Sequence, residues 1–324
     1  MSQGPSSHKK WLKTAVRLLI VAVVLWAVRR TIVTAVDELG QYTWDFDPLW
    51  LAAAALLYLL GLLPAGLFWH RVLFVLGQDA RLGETLRAYY VGHLGKYVPG
   101  KAMVVVIRAG LIRSHRVDTG VAAVSVFFET LTMMSVGAFI SAAILAAWFR
   151  DQTLLFWVAI GLMVAAGMPT VPPIFKRLVR LAGVGKSDPT TGEKIQKLGY
   201  RTLALGWVGM ILLWVLLGLS FWAVLKAMGQ DADPIGQLHL YTAGVSLAMV
   251  AGFLSLVPGG AVVREAILAQ LMVPHLGNLH HRGEVVALVS AVLLRLVWLV
   301  SELLISIILY IGGARAPDAL PPDS

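Results

Sequence analysis

Two long apolar segments are each broken by the same kind of signal, Val98-Pro99-Gly100-Lys101-Ala102 in one and Val257-Pro258-Gly259-Gly260-Ala261 in the other, 159 positions apart. Proline lacks an N–H donor and pushes the residue before it into an extended conformation. A helix therefore ends at Val98 and at Val257, and the adjoining glycine lets the chain turn back. A broken helix at membrane depth leaves backbone groups unpaired, so it survives only against protein or beside a watery cavity. A matched pair of breaks in two halves of a chain points to a binding site where the tips meet.

The surrounding composition leaves one class of protein. Of 324 residues, 58% are hydrophobic and 14% charged, and the mean hydropathy is +0.77, values outside the range of soluble globules. The expectation is an all-α polytopic membrane protein. The net charge of +9 could suit nucleic acid. However, the basic residues cluster in short loops between apolar runs, the pattern of cytoplasmic loops, which argues against that partner. With no cysteine in the chain, disulfides, thiolate metal sites and cysteine nucleophiles are ruled out.

Lys9, Lys10, Lys13 and Arg17 precede the apolar run Leu18 to Val28. This order resembles a secretion signal, but Arg29 and Arg30 follow in place of small residues, which favours an uncleaved first span. An amphipathic stretch, Thr31 to Asp47, leads to a second span at about Leu49 to Leu76, which Pro64 is expected to kink. Glu84 to Val98 and Ala102 to Ile112 hold 15 and 11 residues, about 22 and 16 Å as helix against a hydrocarbon layer of about 30 Å. Neither arm crosses alone, so residues 84–112 read as a re-entrant hairpin tipped by Pro99 and Gly100. A full span follows at Val121 to Trp148. In the second half, Leu154 to Phe175 reads as a span, Lys176 to Arg201 as a basic loop and Thr202 to Val224 as a span. Residues 238–274 form the second broken segment and Val285 to Ile311 the last span. The arms of 238–274 are long enough that two complete crossings stay open beside a hairpin.

These runs amount to about six spans and two hairpins in two repeats, residues 1–150 and 151–313, followed by a Pro-rich tail, residues 314–324, too short and polar to fold. An odd number of crossings per half makes the halves face opposite ways, an inverted repeat. The N-terminus and residues 81–116 and 176–201 are rich in lysine and arginine, whereas the other side carries only scattered Arg29, Arg30, Arg150, Lys226 and Arg282. Both termini are therefore expected in the cytoplasm of a cell-membrane protein.

Lys96, Lys101 and Arg108 lie around the first break and Glu129 in the span after it. Arg264 and Glu265 follow the second break, and Arg295 and Glu302 sit in the last span. A charge in hydrocarbon costs several kcal/mol unless paired or hydrated, so each is a candidate functional residue. A plainer role stays open for most of them. Lys96 and Lys101 could snorkel to the basic surface, Arg264 and Glu265 could pair structurally, and Glu129 and Glu302 could be neutral or paired packing groups. Arg295, eleven residues into its span, is poorly placed to snorkel. The helices restarting after Pro99-Gly100 and Pro258-Gly259-Gly260 present free N–H groups and positive dipole ends. With Arg108, Arg264 and Arg295 nearby they would form a cationic cavity suited to phosphate or carboxylate, the glutamates acting as counter-charges. Glu302 lies two turns along the helix from Arg295, about 10 Å by rise, so Glu265 is expected to be the partner of that arginine.

Gly92-His-Leu-Gly-Lys-Tyr-Val-Pro-Gly-Lys101 with the following Arg108, and Val257-Pro-Gly-Gly-Ala-Val-Val-Arg-Glu265, resemble the two signature stretches of the lysylphosphatidylglycerol synthase transmembrane-region family, or flippase-like proteins. Leu294-Arg295-Leu296 is similar to that family's late arginine, and the likeness runs over nearly the whole chain. Two positions depart from it: Val262 stands where the family often has glycine, and Glu129-Thr130 where it often has Glu-Arg. The resemblance implies movement of a phospholipid or other lipid-linked anion between leaflets, with Lys101, Arg108, Arg264, Glu265 and Arg295 at the substrate. Members that aminoacylate lipid carry a soluble catalytic domain after the membrane part, and a chain ending at Ser324 has no room for one, so no enzyme is expected.

Other signals lead elsewhere. Gly183-Val-Gly-Lys-Ser187 is like a phosphate loop, but Arg180 occupies the position of its first glycine and no strand precedes it. His275, His280 and His281 lack a carboxylate or cysteine at ligand spacing. No cofactor is implied. Besides a lipid flippase, two alternatives stay open: a proton-coupled carrier of a small anion using Glu129, Glu265 or Glu302, and a non-transporting scaffold for an envelope enzyme. The partners implied are a membrane lipid and, beside it, a second copy of the chain or a separate lipid-modifying enzyme.

Overall fold

The computed structural model of the protein describes residues 45–98, 103–114, 116–148, 153–181, 189–255, 260, 262–276 and 282–312. The expected first span, the amphipathic stretch up to its last residues, Pro99, Gly100, Lys101, Pro258, Gly259, the Gly183–Ser187 stretch, His280, His281 and the tail lie outside the described residues. The described elements are α1 (Pro48–Val75), α2 (Leu82–His93), a 3-10 turn (Leu94–Tyr97), α3 (Met103–Ile112), α4 (Thr119–Trp148), α5 (Thr153–Gly167), a second 3-10 turn (Met168–Thr170), α6 (Pro172–Leu181), α7 (Pro189–Ile195), α8 (Tyr200–Ala227), α9 (Leu238–Leu254), α10 (Val263–Leu276) and α11 (Arg282–Gly312). No strand occurs among them; Ser114 and Val117 form an isolated bridge.

Helices α1, α4, α8 and α11 are long and apolar enough to cross a membrane, and α5 with α6 would make a fifth, bent span. Each of the four exceeds the about 30 Å that a hydrocarbon layer demands. Their outward residues, such as Leu205, Val208 and Leu212 on α8 or Leu304, Ile307 and Ile308 on α11, are exposed and apolar, as contact with lipid tails requires. Asp47 caps the start of α1 by accepting from the Leu49 N–H at 2.8 Å, and Pro48 occupies the first turn, where its missing donor costs nothing.

Helix α1 packs along α8. Small residues allow the approach. A Cβ on Gly61 would meet Leu217 at 2.6 Å, and one on Gly209 would rest 3.7 Å from the Pro64 carbonyl, the close contact that drives helix association in lipid. Helix α1 continues through Pro64 as one element. The buried core runs on through Trp69, Phe128, Trp214 and Phe221.

One boundary departs from the sequence reading. Leu154 to Phe175 is not one straight span: the segments Phe156–Thr170 and Pro172–Leu181 are bent by 66°. Pro169 opens a 3-10 turn, Val171 is extended, and Pro172 and Pro173 cannot continue a hydrogen-bond ladder, so the helix restarts in a new direction. The basic stretch that follows is likewise helical over α6 and α7. On α6, Ile174, Leu178 and Leu181 are exposed while Phe175 is buried.

A long helix, two short helices flanking a break, and a long helix occur twice, as α1 to α4 and as α8 to α11. The repeated parts start 152 residues apart for the first long helix, 156 for the hairpin and 163 for the last helix, so loop lengths drift around the offset of the Pro-Gly signals. Helix α2 packs on α3, and α9 on α10. With 17 and 14 residues, α9 and α10 reach about 26 and 21 Å, short of a crossing, which weighs against two complete spans over 238–274.

Candidate functional site

The two hairpins hold their arginines by the same device and give them different surroundings. On the first, Gly92 of α2 faces the backbone of Arg108 on α3, where a Cβ would come within 3.3 Å of its nitrogen, and a Cβ on Gly95 would strike the Val104 nitrogen at 2.7 Å. Helix and return arm therefore touch backbone to backbone. Arg108 is fully buried and donates to Glu129 Oε2 of α4 at 2.6 Å. Its guanidinium lies 4.0 Å from the centre of the Tyr89 ring and its Nη2 is 3.2 Å from His93 Nδ1. Tyr89 and Thr130 donate to Glu129 at 3.4 and 3.2 Å. Both charges of this pair are thus satisfied within the protein.

On the second hairpin the arginine is clamped but not neutralised. A Cβ on Gly252 would lie 2.6 Å from Arg264 Nε, and one on Gly260 would lie 2.9 Å from the Gly252 Cα. Gly260, with φ +64°, adopts the left-handed conformation that brings the chain this close. Among the described residues no carboxylate lies within 4.0 Å of Arg264, and its Nε is buried with no hydrogen-bond partner. The neighbouring Glu265 turns away and accepts from Arg295 of α11. Glu265 Oε2 is also buried without a partner.

Between these groups lies a cavity of about 40 Å³ whose lining includes Lys96, Tyr97, Arg264, Glu265, Arg295 and Trp298, room for roughly two or three waters. Lys96, at the 3-10 turn, donates to Glu302 of α11, which also accepts from the Tyr58 hydroxyl of α1. Tyr58 stacks on Trp298 with ring centres 4.5 Å apart, and the Trp298 indole donates to Ser220 at 3.0 Å. This aromatic pair is a wall joining α1, α8 and α11.

Of the residues singled out in the sequence, the structure brings Arg264, Glu265 and Arg295 together at this cavity and leaves Arg108 outside it, bound to Glu129. Lys96 does not snorkel to a surface: it is turned inward against Glu302, because that carboxylate would otherwise be buried without a cation. Arg264 and Glu265 do not pair with each other, since adjacent positions on a helix point apart. Pro99, Gly100, Lys101, Pro258 and Gly259 are outside the described residues. Among those described, no group of three metal-ligating side chains occurs. His93 and Tyr58 escaped notice in the sequence. His93 had a visible signal, its place inside the first signature stretch; Tyr58, one aromatic among many in an apolar run, had none.

An all-helical bundle with membrane-length helices and a pair of broken hairpins, gathering buried charges beside a small cavity, defines a polytopic membrane protein with an internal polar site. The profile of the family described as lysylphosphatidylglycerol synthase TM region matches residues 14–308, and the chain belongs to that family. Comparison with curated proteins gives no match.

Proposed function

We propose that the protein moves a phospholipid or lipid-linked anion between leaflets, with Lys96, Arg264 and Arg295 holding the anionic group and Glu265 and Glu302 as counter-charges when the site is empty. The two hairpins enter from opposite faces in an inverted arrangement, in a cell membrane with both termini cytoplasmic. The observation that supports this reading is Arg264, a guanidinium held between two glycines with no carboxylate against it among the described residues. A guanidinium with a buried Nε and, among the described residues, no carboxylate against it is costly, and a phosphate oxygen from a lipid would satisfy it with charge-assisted bonds. Three cations and one carboxylate line the cavity, a balance that favours a ligand of negative charge. A phosphodiester is larger than a few waters, so loading requires the helices around the cavity to part. The role is transport rather than catalysis.

Translocation of a fluorescent phosphatidylglycerol in proteoliposomes tests it. Arg264→Ala is expected to abolish the movement and Arg264→Lys to retain part of it, since lysine keeps the charge without the fork of donors. Full activity of the alanine variant would refute the reading. Uptake of radiolabelled inorganic phosphate by the same vesicles, with no lipid movement, would instead identify a small-anion carrier.

A further inference from the structure

One buried titratable side chain has no part in holding the anion. His93 ends α2 with Tyr89 of the same helix alongside, its ring centre 6.0 Å away. The charges facing it are Lys96 of the following turn, Arg108 of α3, Arg264 of α10 and Glu302 of α11, with Glu129 of α4 reached through Arg108. Tyr58 of α1 and Tyr97 complete the surroundings of Glu302. Because arginine offers only donors and stays charged, the 3.2 Å contact with Arg108 Nη2 makes Nδ1 the acceptor, and the neutral ring carries its proton on Nε2. Nε2 lies 3.8 Å from Glu302 Oε1, beyond hydrogen-bond reach. Both Nε2 and Glu302 Oε2 are buried without a hydrogen-bond partner. His93 therefore stands between two ion pairs, Arg108 with Glu129 and Lys96 with Glu302, bonded to the first and just short of the second.

We propose that His93 is a proton-binding site that controls the anion cavity: a proton and the Arg108 guanidinium compete for Nδ1, and the resulting imidazolium draws Glu302 away from Lys96. The proton comes from water and adds to the Nδ1 lone pair. The Arg108–Nδ1 hydrogen bond is lost while Arg108 keeps Glu129. The imidazolium, now a donor at both nitrogens, closes on Glu302 through Nε2–H. Lys96, already in the cavity lining, is then free to offer its charge beside Arg264 and Arg295. Proton and anion favour each other's binding, and linkage makes that help reciprocal. The exchange at Nδ1 rests on the geometry alone; its effect on the cavity rests on the lipid-anion reading.

The test is a titration of ¹⁵N-histidine-labelled protein in nanodiscs, the His93 signals being assigned by their loss in His93→Gln. The expected spectrum shows an Nε2–H tautomer with an acceptor Nδ1 at high pH and protonation of both nitrogens as pH falls. In Arg108→Lys, where the lysine can pair with Glu129 but leaves Nδ1 free, the midpoint should rise by roughly one pH unit. An Nδ1–H tautomer in the wild type, or an unmoved midpoint in Arg108→Lys with the fold intact, overturns the proposal. Calorimetry with dihexanoyl phosphatidylglycerol supplies the functional arm. Binding to the wild type should tighten by up to about tenfold per pH unit as the pH falls toward the midpoint from above and level off below it, and this dependence should vanish in His93→Gln. Equal pH dependence in both proteins overturns the coupling. No binding by the wild type at any pH overturns the lipid-anion reading, and the nitrogen shifts then decide the proton site separately.

Discussion

Arg108 and Arg264 occupy corresponding places, each on the return arm of a broken hairpin and each seated against a glycine of the outgoing arm. Each also keeps a buried Nε without a partner. What separates them lies at the terminal nitrogens. Those of Arg108 are taken up by Glu129 and His93, whereas Arg264 meets no carboxylate among the described residues and lines a cavity. The same local construction thus yields a closed structural pair in one half and an open cation in the other. An arginine in a membrane is not by itself a ligand site: the count of carboxylates within reach decides whether its charge is already spoken for.

Arg108→Ala should separate the two arginines most clearly. Removing one member of a fully buried pair leaves Glu129 charged and unpaired, at a cost of about 3–5 kcal/mol, so thermal unfolding in detergent should show a large loss of stability. Arg264→Ala removes a charge with no carboxylate against it among the described residues and should leave stability near that of the wild type while translocation disappears. Equal destabilisation by both substitutions would erase the distinction between the two arginines.

A smaller effect sharpens it. Arg295→Ala strands Glu265, and adding Glu265→Gln should recover part of the lost stability without recovering transport. The coupling read from a double-mutant cycle should be about 1–3 kcal/mol; strictly additive effects would show that the Arg295–Glu265 contact contributes nothing.

The smallest effect concerns the turn into α10. Val262 has φ +69° and is 75% exposed, so a β-branched residue holds a left-handed conformation with no packing to compensate. Glycine is the residue without that penalty. Val262→Gly should raise stability by about 1 kcal/mol, seen as a higher midpoint of thermal unfolding, with Arg264 still clamped between Gly252 and Gly260.

The helical class, four of the long helices and the two breaks were legible because hydrocarbon forces every backbone group to pair within its own helix, which turns spans into apolar runs and breaks into Pro-Gly signals. The bend after Thr170 was hidden although Pro169, Pro172 and Pro173 announce it, because the apolar run carries on past it as far as Phe175. Within the site, the Arg295–Glu265 contact followed from helix rise, which put Glu302 two turns away. The partner of Glu302 did not: the sequence leaves Lys96 open between a functional charge and a snorkelling one, and nothing local to it shows that its turn faces α11. Arg108 failed in the opposite sense. Its charge was visible, but its saturation by Glu129 depends on how α3 meets α4.

The measurement that bears most directly on an open cation at Arg264 is retention of phosphatidylglycerol by the purified protein, read by native mass spectrometry. The wild type and Arg108→Lys, which keeps the charge opposite Glu129, should both retain the lipid, whereas Arg264→Ala should lose it with its fold intact. Retention by Arg264→Ala equal to the wild type would contradict the assignment of this arginine to the anion.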